Sequence, residues 1–281
     1  MAETPARKAP RVTRLSVLRT EWLTPHMVRV TAGGEGIADF RENDFADQYV
    51  KVVFAPEGVT YPEPYDPEAI RRDLPREQWP VQRTYTVRSL DREAGELAID
   101  FVHHGDEGLA GPWAAAARPG DPLLLAGPGG AYSPDPDADW HLLVGDESAL
   151  PAIAVALEQL PREAVARVLI EVENPAEEQK LDAPDGAEIT WLHREGSGAA
   201  RGALLVEAVT ALDFPDGPVH AFVHGEAETV MKKLRPHLLK ERGLSRDQLS
   251  VSGYWRAGQA DEDFRKWKAE ERQREAAESG S

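Results

Sequence analysis

A change of hydrophobic pattern near residue 135 constrains this chain more than any other feature. Before it, short apolar runs alternate with polar residues and are punctuated by turn signals: "RVTRLSVLRTEWLTPHMVRVTAGG", "QYVKVVF", "YTVRSL", "LAIDFV" and "PLLLAG". That spacing predicts an antiparallel β-barrel. After it, continuous apolar strands alternate with helical stretches: "WHLLVGD", "SALPAIAVALEQLP", "ARVLIEV", "AEITWLHR", "RGALLVEAVTAL", "PVHAFVHG", "EAETVMKKLRPHLLKERG" and "QLSVSGYW". Strands that alternate with helices predict a parallel α/β sheet of the Rossmann type. "GGAYSPDPDAD" between the two patterns reads as a linker. The expected fold class is therefore β + α/β. A barrel domain spans 11–133, an α/β domain spans 140–256, and a charged helical tail spans 257–281. In that tail Glu262–Lys266 and Glu270–Arg274 have the spacing of helical ion pairs. The Pro-rich "PEGVTYPEPYDPEAI" reads as a long loop and "AGPWAAAARP" as one helix within the barrel half.

Composition narrows the function. The 281 residues are 41% hydrophobic and 29% charged, which is folded rather than disordered protein. There is no cysteine, so disulfides, thiolate nucleophiles and cysteine-held iron–sulfur clusters are excluded. The net charge of −17 repels nucleic acid, and it makes the positions of Arg and Lys more informative than those of Asp and Glu. No stretch reaches the ~18 apolar residues of a membrane helix, and "MAETPARKAP" lacks the apolar run of a secretory signal. A cytoplasmic monomer, with no membrane or nucleic-acid partner and no metal site, is expected.

Three stretches carry chemical groups. In "QRTYTVRSLD", Arg83, Tyr85, Thr86, Val87 and Arg88 share one strand. Its period of two puts Arg83 and Tyr85 on one face and Thr86 on the other, or in a following bend. An aromatic ring, a hydroxyl and guanidinium groups suit a flavin dinucleotide, with the guanidinium gripping the pyrophosphate. An amphipathic strand with surface arginines fits equally well. In "DFVHHGDEGLAGPWAAAARPGD", His103 and Gly105 lead through a Gly-rich loop to Gly111, Pro112 and Trp113 at the start of a helix. That is the geometry of a phosphate site, or simply of a strand–turn–helix connection. In "LVGDESALP", Gly145, Asp146, Glu147 and Ser148 lie where a Rossmann-like sheet binds dinucleotides. GxGxxG is absent, and Ser148 as N-cap with Pro151 in the first turn accounts for the residues without a ligand.

"RTYTVR", "GDESALPAIAVALEQLP", "WLHREG", "HGEAETVMKKLRPHLLKERG" and "SGYWRAG", in that order over about residues 11–258, resemble the siderophore-interacting protein family. These are FAD-dependent ferric-siderophore reductases of the ferredoxin-reductase-like superfamily. The resemblance implies that Arg83, Tyr85, Thr86, Val87 and Arg88 bind FAD with His103, Gly105 and the Gly111–Trp113 turn. It places Gly145, Asp146, Glu147 and Ser148 along a nicotinamide cleft, with Gly225, Glu226, Tyr254, Trp255 and Arg256 at the cofactor and substrate mouth. Lys51 would meet the ferric siderophore. Family members often carry an arginine where this chain reads "AGPGG", at Gly129. One cation is therefore missing at the mouth, which weakens the case for highly anionic catecholate complexes. NADPH or NADH would supply hydride. Arg194 after the third α/β strand favours the 2′-phosphate of NADPH, and Glu171 and Glu173 favour the ribose hydroxyl of NADH; the balance is taken as NADPH. A general flavin or ferredoxin-type oxidoreductase and a non-catalytic siderophore carrier are the rival readings.

Overall fold

The computed structural model describes residues 12–62 and 65–258. The chain divides into two compact units after Ala131. The predicted tail helix lies outside the described residues.

The first unit is a closed barrel of six antiparallel strands: β1 (Val12–Thr24), β2 (Met27–Gly33), β3 (Tyr49–Phe54), β4 (Val81–Asp91), β5 (Glu96–Val102) and β6 (Pro122–Gly129). They run in the order β1-β2-β5-β4-β3-β6, and β6 also pairs with β1. Closure satisfies both sides of every strand and leaves no sheet edge. The alternation that predicted the strands fills the interior: Leu15 and Val17, Val28 and Val30, Val50 and Val52, Leu97, Ile99 and Phe101, Leu123 and Leu125 are all buried together. The one predicted helix forms as α2 (Ala110–Ala116), and its Ala110 and Ala114 join that core. Inside the Pro-rich segment expected to be a loop, a short helix α1 (Pro67–Asp73) forms instead. The Asp66 carboxylate accepts from the N–H groups of Glu68 and Ala69 at 2.9 and 3.1 Å, and Pro67 takes the first helical position, where no N–H is needed.

The second unit is a five-stranded parallel sheet. Its strands are β7 (Trp140–Asp146), β8 (Val165–Val172), β9 (Gly186–His193), β10 (Val219–Glu226) and β11 (Leu249–Trp255), in the order β11-β10-β7-β8-β9. Such an order reverses direction between β7 and β10, and open α/β sheets bind ligands in the crevice outside the carboxyl ends at that point. β7 is buried along its whole length, as a central strand covered on both faces must be. Helix α3 (Leu150–Gln159) and helix α4 (Ala203–Ala211) follow β7 and β9. The long helix expected after β10 is two π-type segments, Glu228–Leu234 and His237–Glu241. Pro236 between them has no N–H to give the ladder, and the wider turns carry the N–H of Arg235 to Val230 and of Arg242 to His237.

At the opposite, amino end of this sheet His141 is 3% exposed, and its Nδ1 has no hydrogen-bond partner. Burial, reinforced by the neighbouring His220, lowers its pKa to about 4 from 6.5. The unfolded chain thus takes up this proton near pH 6.5 and the folded chain only near pH 4. His141 contributes stability that is complete above 6.5 and is lost as pH falls towards 4. Denaturant titrations between those limits should show a loss of about 1–2 kcal/mol that His141→Gln diminishes, with solvent screening allowed for. An unchanged slope in the variant would mean the ring is solvated.

Candidate functional site

In the barrel, register decides which groups share a face. Tyr49 and Lys51 of β3 lie opposite Thr86 and Thr84 of β4, whereas Val50 and Val52 lie opposite Tyr85 and Arg83. Directly opposed residues project to the same side. Lys51, Tyr49, Thr84 and Thr86 therefore form one face, and Arg83 and Tyr85 belong to the other. The pairing of β4 with β5 shifts between Val87 and Ser89, which puts Arg88 in a bulge. Val87 is a core residue, and its N–H donates to the Gln48 carbonyl at 2.7 Å.

Tyr85 packs on Phe101 with ring centroids 4.3 Å apart, and Trp113 packs on the same Phe101 at 5.6 Å. One buried ring in β5 thus brings the "RTYT" strand and the entry of α2 to the same place. Gly111 makes this approach feasible, because a Cβ there would lie 2.8 Å from the Val102 carbonyl oxygen. Pro112 sits in the first turn, no side chain caps the helix, and Gly105 and Gly108 hold φ of +63° and +82° in the loop before it. His103 is fixed by its own N–H, which donates to His26 at 2.9 Å, and by an edge contact of its ring with Trp22 at 5.1 Å. The barrel therefore brings the Tyr85 ring of β4 beside the entry of α2, with Arg83 on the same face of β4 as that ring, Thr86 on the other face and Arg88 in the bulge. This donor set fits a flavin dinucleotide.

Sequence reasoning missed Tyr49. A Cβ at Gly129 would collide with its ring, so the ring occupies the space that a side chain at 129 would need. Phe45 covers Gly130 in the same way, with a hypothetical Cβ 2.8 Å from the ring. Both aromatics stay partly exposed, as does Lys51. The absent side chain at 129 was legible in the sequence, but the ring replacing it was not.

In the second unit the carboxyl ends of the strands meet around Asp146. Its Oδ1 accepts from the Ser148 N–H at 2.9 Å and the Ser148 hydroxyl at 2.5 Å. Its Oδ2 accepts from the Glu226 N–H at 2.9 Å and the Trp255 indole N–H at 2.8 Å. Burial, and then the charge of Glu147, raise the Asp146 pKa, and the bonds from Ser148 and Trp255 work against the rise. Ser148 is thus not the helix cap expected from the sequence. Its hydroxyl turns back to Asp146, and α3 starts after Ala149 with no side-chain cap. Glu226 in turn accepts from the N–H and hydroxyl of Thr229 at 2.8 and 3.0 Å. Gly145 and Gly225 permit this crowding. A Cβ at 145 would lie 2.5 Å from the Ala149 Cβ, and one at 225, where φ is +144°, would lie 2.8 Å from Asp146 Oδ2. Tyr254 stands edge-on to His224 at 5.0 Å, and Arg256 follows β11, half-buried.

Arg194, expected to favour a 2′-phosphate, has a side chain that is 7% exposed and points into carboxylates. It donates to Glu147, to Glu173 at 2.9 Å and to Glu171 at 3.5 Å. Burial opposes its charge, but Glu147, Glu173 and Glu171 outweigh it and hold the guanidinium protonated beyond its ordinary range. Glu171 also accepts from the Gly202 N–H at 2.8 Å. Arg201, another residue the sequence reading passed over, lies 4.0 Å from Glu147 and 5.2 Å over the Trp255 ring. Only its distance from the motifs along the chain concealed it. Arg194→Met should destabilise the second unit by about 3–5 kcal/mol in denaturant unfolding, because it strands buried carboxylates. The deficit should shrink at acidic pH as they protonate. A cost below about 1 kcal/mol would show that the cluster is solvated.

Among the described residues, no group of three or more His, Asp or Glu is placed to hold a metal, and no helix is long and apolar enough to cross a membrane. Two family models match: "Siderophore-interacting FAD-binding domain" over residues 16–132 and "Siderophore-interacting protein" over 138–258. The uncharacterized protein Rv2895c of Mycobacterium tuberculosis is 49% identical, with 92% of this chain and 95% of that protein covered. Ferric vibriobactin reductase ViuB of Vibrio cholerae is 35% identical over 89% of this chain and 91% of that protein. The NADPH-dependent ferric-chelate reductase of Escherichia coli is 32% identical over 88% and 94%. A siderophore utilization protein from T. fusca, known by crystal structure, is 42% identical with a TM-score of 0.75, covering 89% of this chain and 95% of that one. The two matches cover most of both units, and the chain belongs to the siderophore-interacting protein family.

Proposed function

We propose that this chain is a cytoplasmic, monomeric NAD(P)H-dependent flavin reductase that reduces the iron of a ferric siderophore and so releases it. The observation that supports the reading most is the meeting of Tyr85 and Trp113 on Phe101, which brings β4 and the entry of α2 together in the barrel. The reductase names of the Vibrio and Escherichia relatives support it.

In this reading Arg83 and Arg88 grip the flavin pyrophosphate with the N–H groups at the start of α2, and the hydroxyl of Thr86 donates to the ring system. Tyr85 and Trp113 offer apolar faces, and His103 and Gly105 close the loop side. Gly145, Asp146, Glu147, Ser148, Gly225, Glu226, Tyr254 and Trp255 frame the nicotinamide cleft. When bound, FAD would supply the redox chemistry, hydride acceptance from the reduced nicotinamide and single-electron transfer to ferric iron. No protein acid or base is assigned, because no bond to a proton has to break at the iron. Lys51 and Arg256 act electrostatically. The chain's net charge of −17 repels an anionic chelate, so local cations must offset that field where it docks. Most exposed carboxylates elsewhere serve solubility.

Arg83→Ala should weaken FAD binding at least tenfold, by about 1.4 kcal/mol or more, with an unchanged near-ultraviolet circular dichroism spectrum. Wild-type affinity in that variant would remove Arg83 from the phosphate site. For the reaction itself, the FAD-loaded protein is photoreduced without oxygen and mixed with a ferric hydroxamate. Return of the flavin absorbance in proportion to the complex added is expected. A flavin that stays reduced with hydroxamate and catecholate complexes alike would reject the siderophore assignment.

A further inference from the structure

The barrel unit leaves one large aromatic ring in solvent, next to the loop that carries His103. We propose that this ring, Trp22 of β1, is the platform on which the adenine of FAD stacks. The inference rests on the barrel being an FAD site and assigns to that site a residue of its own for the second ring system.

A flavin dinucleotide carries two flat ring systems joined through a pyrophosphate. The residues assigned above serve the flavin and the phosphates, and the adenine has no partner among them. Trp113 packs on both Phe54 and Phe101, at 5.6 Å in each case, which ties it to the Tyr85 end of the barrel. Trp22 is placed differently. At 51% it is the most exposed large apolar side chain among the described residues. Leaving an indole in water costs the fold apolar burial, whereas a nucleobase gains a stacking surface from it.

Strand pairing explains the exposure and fixes the position. β6 pairs with β1 only over Val12–Ser16, whereas the pairing of β1 with β2 continues to Thr24. Beyond Ser16 the barrel no longer closes over β1. Trp22 lies opposite Val28 of β2, and Val28 lies opposite Phe101 of β5. Opposed residues project to the same side, and Val28 and Phe101 are both core residues. Phe101 in turn carries the Tyr85 ring of β4 at 4.3 Å. Trp22, Val28, Phe101 and Tyr85 therefore form one row across four neighbouring strands. Its ends are three strand spacings apart, about 14 Å along the sheet. Such a row suits a ligand with a ring system at each end of a pyrophosphate.

The indole is also held in advance. The His103 N–H donates to the His26 carbonyl at 2.9 Å, which ties the loop after β5 to the turn between β1 and β2. The His103 ring then meets Trp22 at 5.1 Å with the two planes 85° apart. A ring fixed before the ligand arrives loses less rotamer freedom on stacking.

The experiment is equilibrium titration of the FAD-free full chain with FAD and with FMN by calorimetry. FMN keeps the flavin and one phosphate and lacks the adenosine, so it reports on the barrel without the adenine. Wild type is expected to bind FAD more tightly than FMN. Trp22→Ala should weaken FAD about tenfold, within the range for a base stacked on an aromatic ring, and leave FMN affinity as it was. Trp22→Phe should restore most of the loss. Leu18→Ala, which trims the 41% exposed side chain on the same strand, should change neither affinity. Unchanged FAD affinity in Trp22→Ala, or an equal loss for FAD and FMN, would overturn the stacking role and leave the flavin site standing. Failure of the wild-type chain to bind either flavin would overturn the FAD reading itself.

Discussion

One buried carboxylate organises the carboxyl end of the second unit. Asp146 receives four donors: two from Ser148 on its own loop, one from the backbone of Glu226 at the end of β10, and one from Trp255 at the end of β11. A carboxylate taken out of water is tolerated only when its lone pairs are satisfied, and here satisfying them fixes three strand ends relative to one another. The glycines at 145 and 225 follow from the same constraint, since each stands where a Cβ would press on a neighbour of this knot. Trp255 is thereby held by its nitrogen, and one face of its ring lies under Arg201. The strand ends at the switch point thus share a single acceptor.

The barrel reaches its arrangement by packing rather than by charge. Phe101 is fully buried, and Tyr85 and Trp113 both press on it, with Phe54 completing the cluster against Trp113. A strand bearing arginines and a glycine-rich helix entry, well apart in sequence, become neighbours through one apolar ring. The polar groups are then presented by a scaffold whose core is apolar. Such a division suits a site whose chemistry belongs to a bound cofactor.

The β-strands of both units were legible because their periods are simple: alternation in the barrel, continuous apolar runs in the buried parallel sheet. Helix α1 was not, because Asp66-Pro67 within a Pro-rich stretch signals a turn and a helix start equally well. The π-type turns around Pro236 were read as one ordinary helix, since the pattern of buried residues differs little between the two. Position alone allowed Ser148 to be a cap as well as a cleft residue, and the competing acceptor, Asp146, was two residues away. The partners of Arg194 were not legible either. A cation at a strand end looks available in a sequence, and its three carboxylates come from the ends of two other strands, which only tertiary structure assembles. The ring of Tyr49 beside Gly129 was hidden for the same reason, because its proximity is a matter of strand register.

The proposed function requires a single chain to carry electrons from a nicotinamide nucleotide to chelated iron. The most direct measurement mixes the FAD-loaded chain anaerobically with reduced nicotinamide as sole reductant and a ferric hydroxamate, with a ferrous-specific chelator to trap the product. The claim predicts repeated turnover, with two ferrous ions formed for each nicotinamide oxidised. Trapped iron limited to the amount of flavin, or none without an added electron-transfer protein, would contradict it.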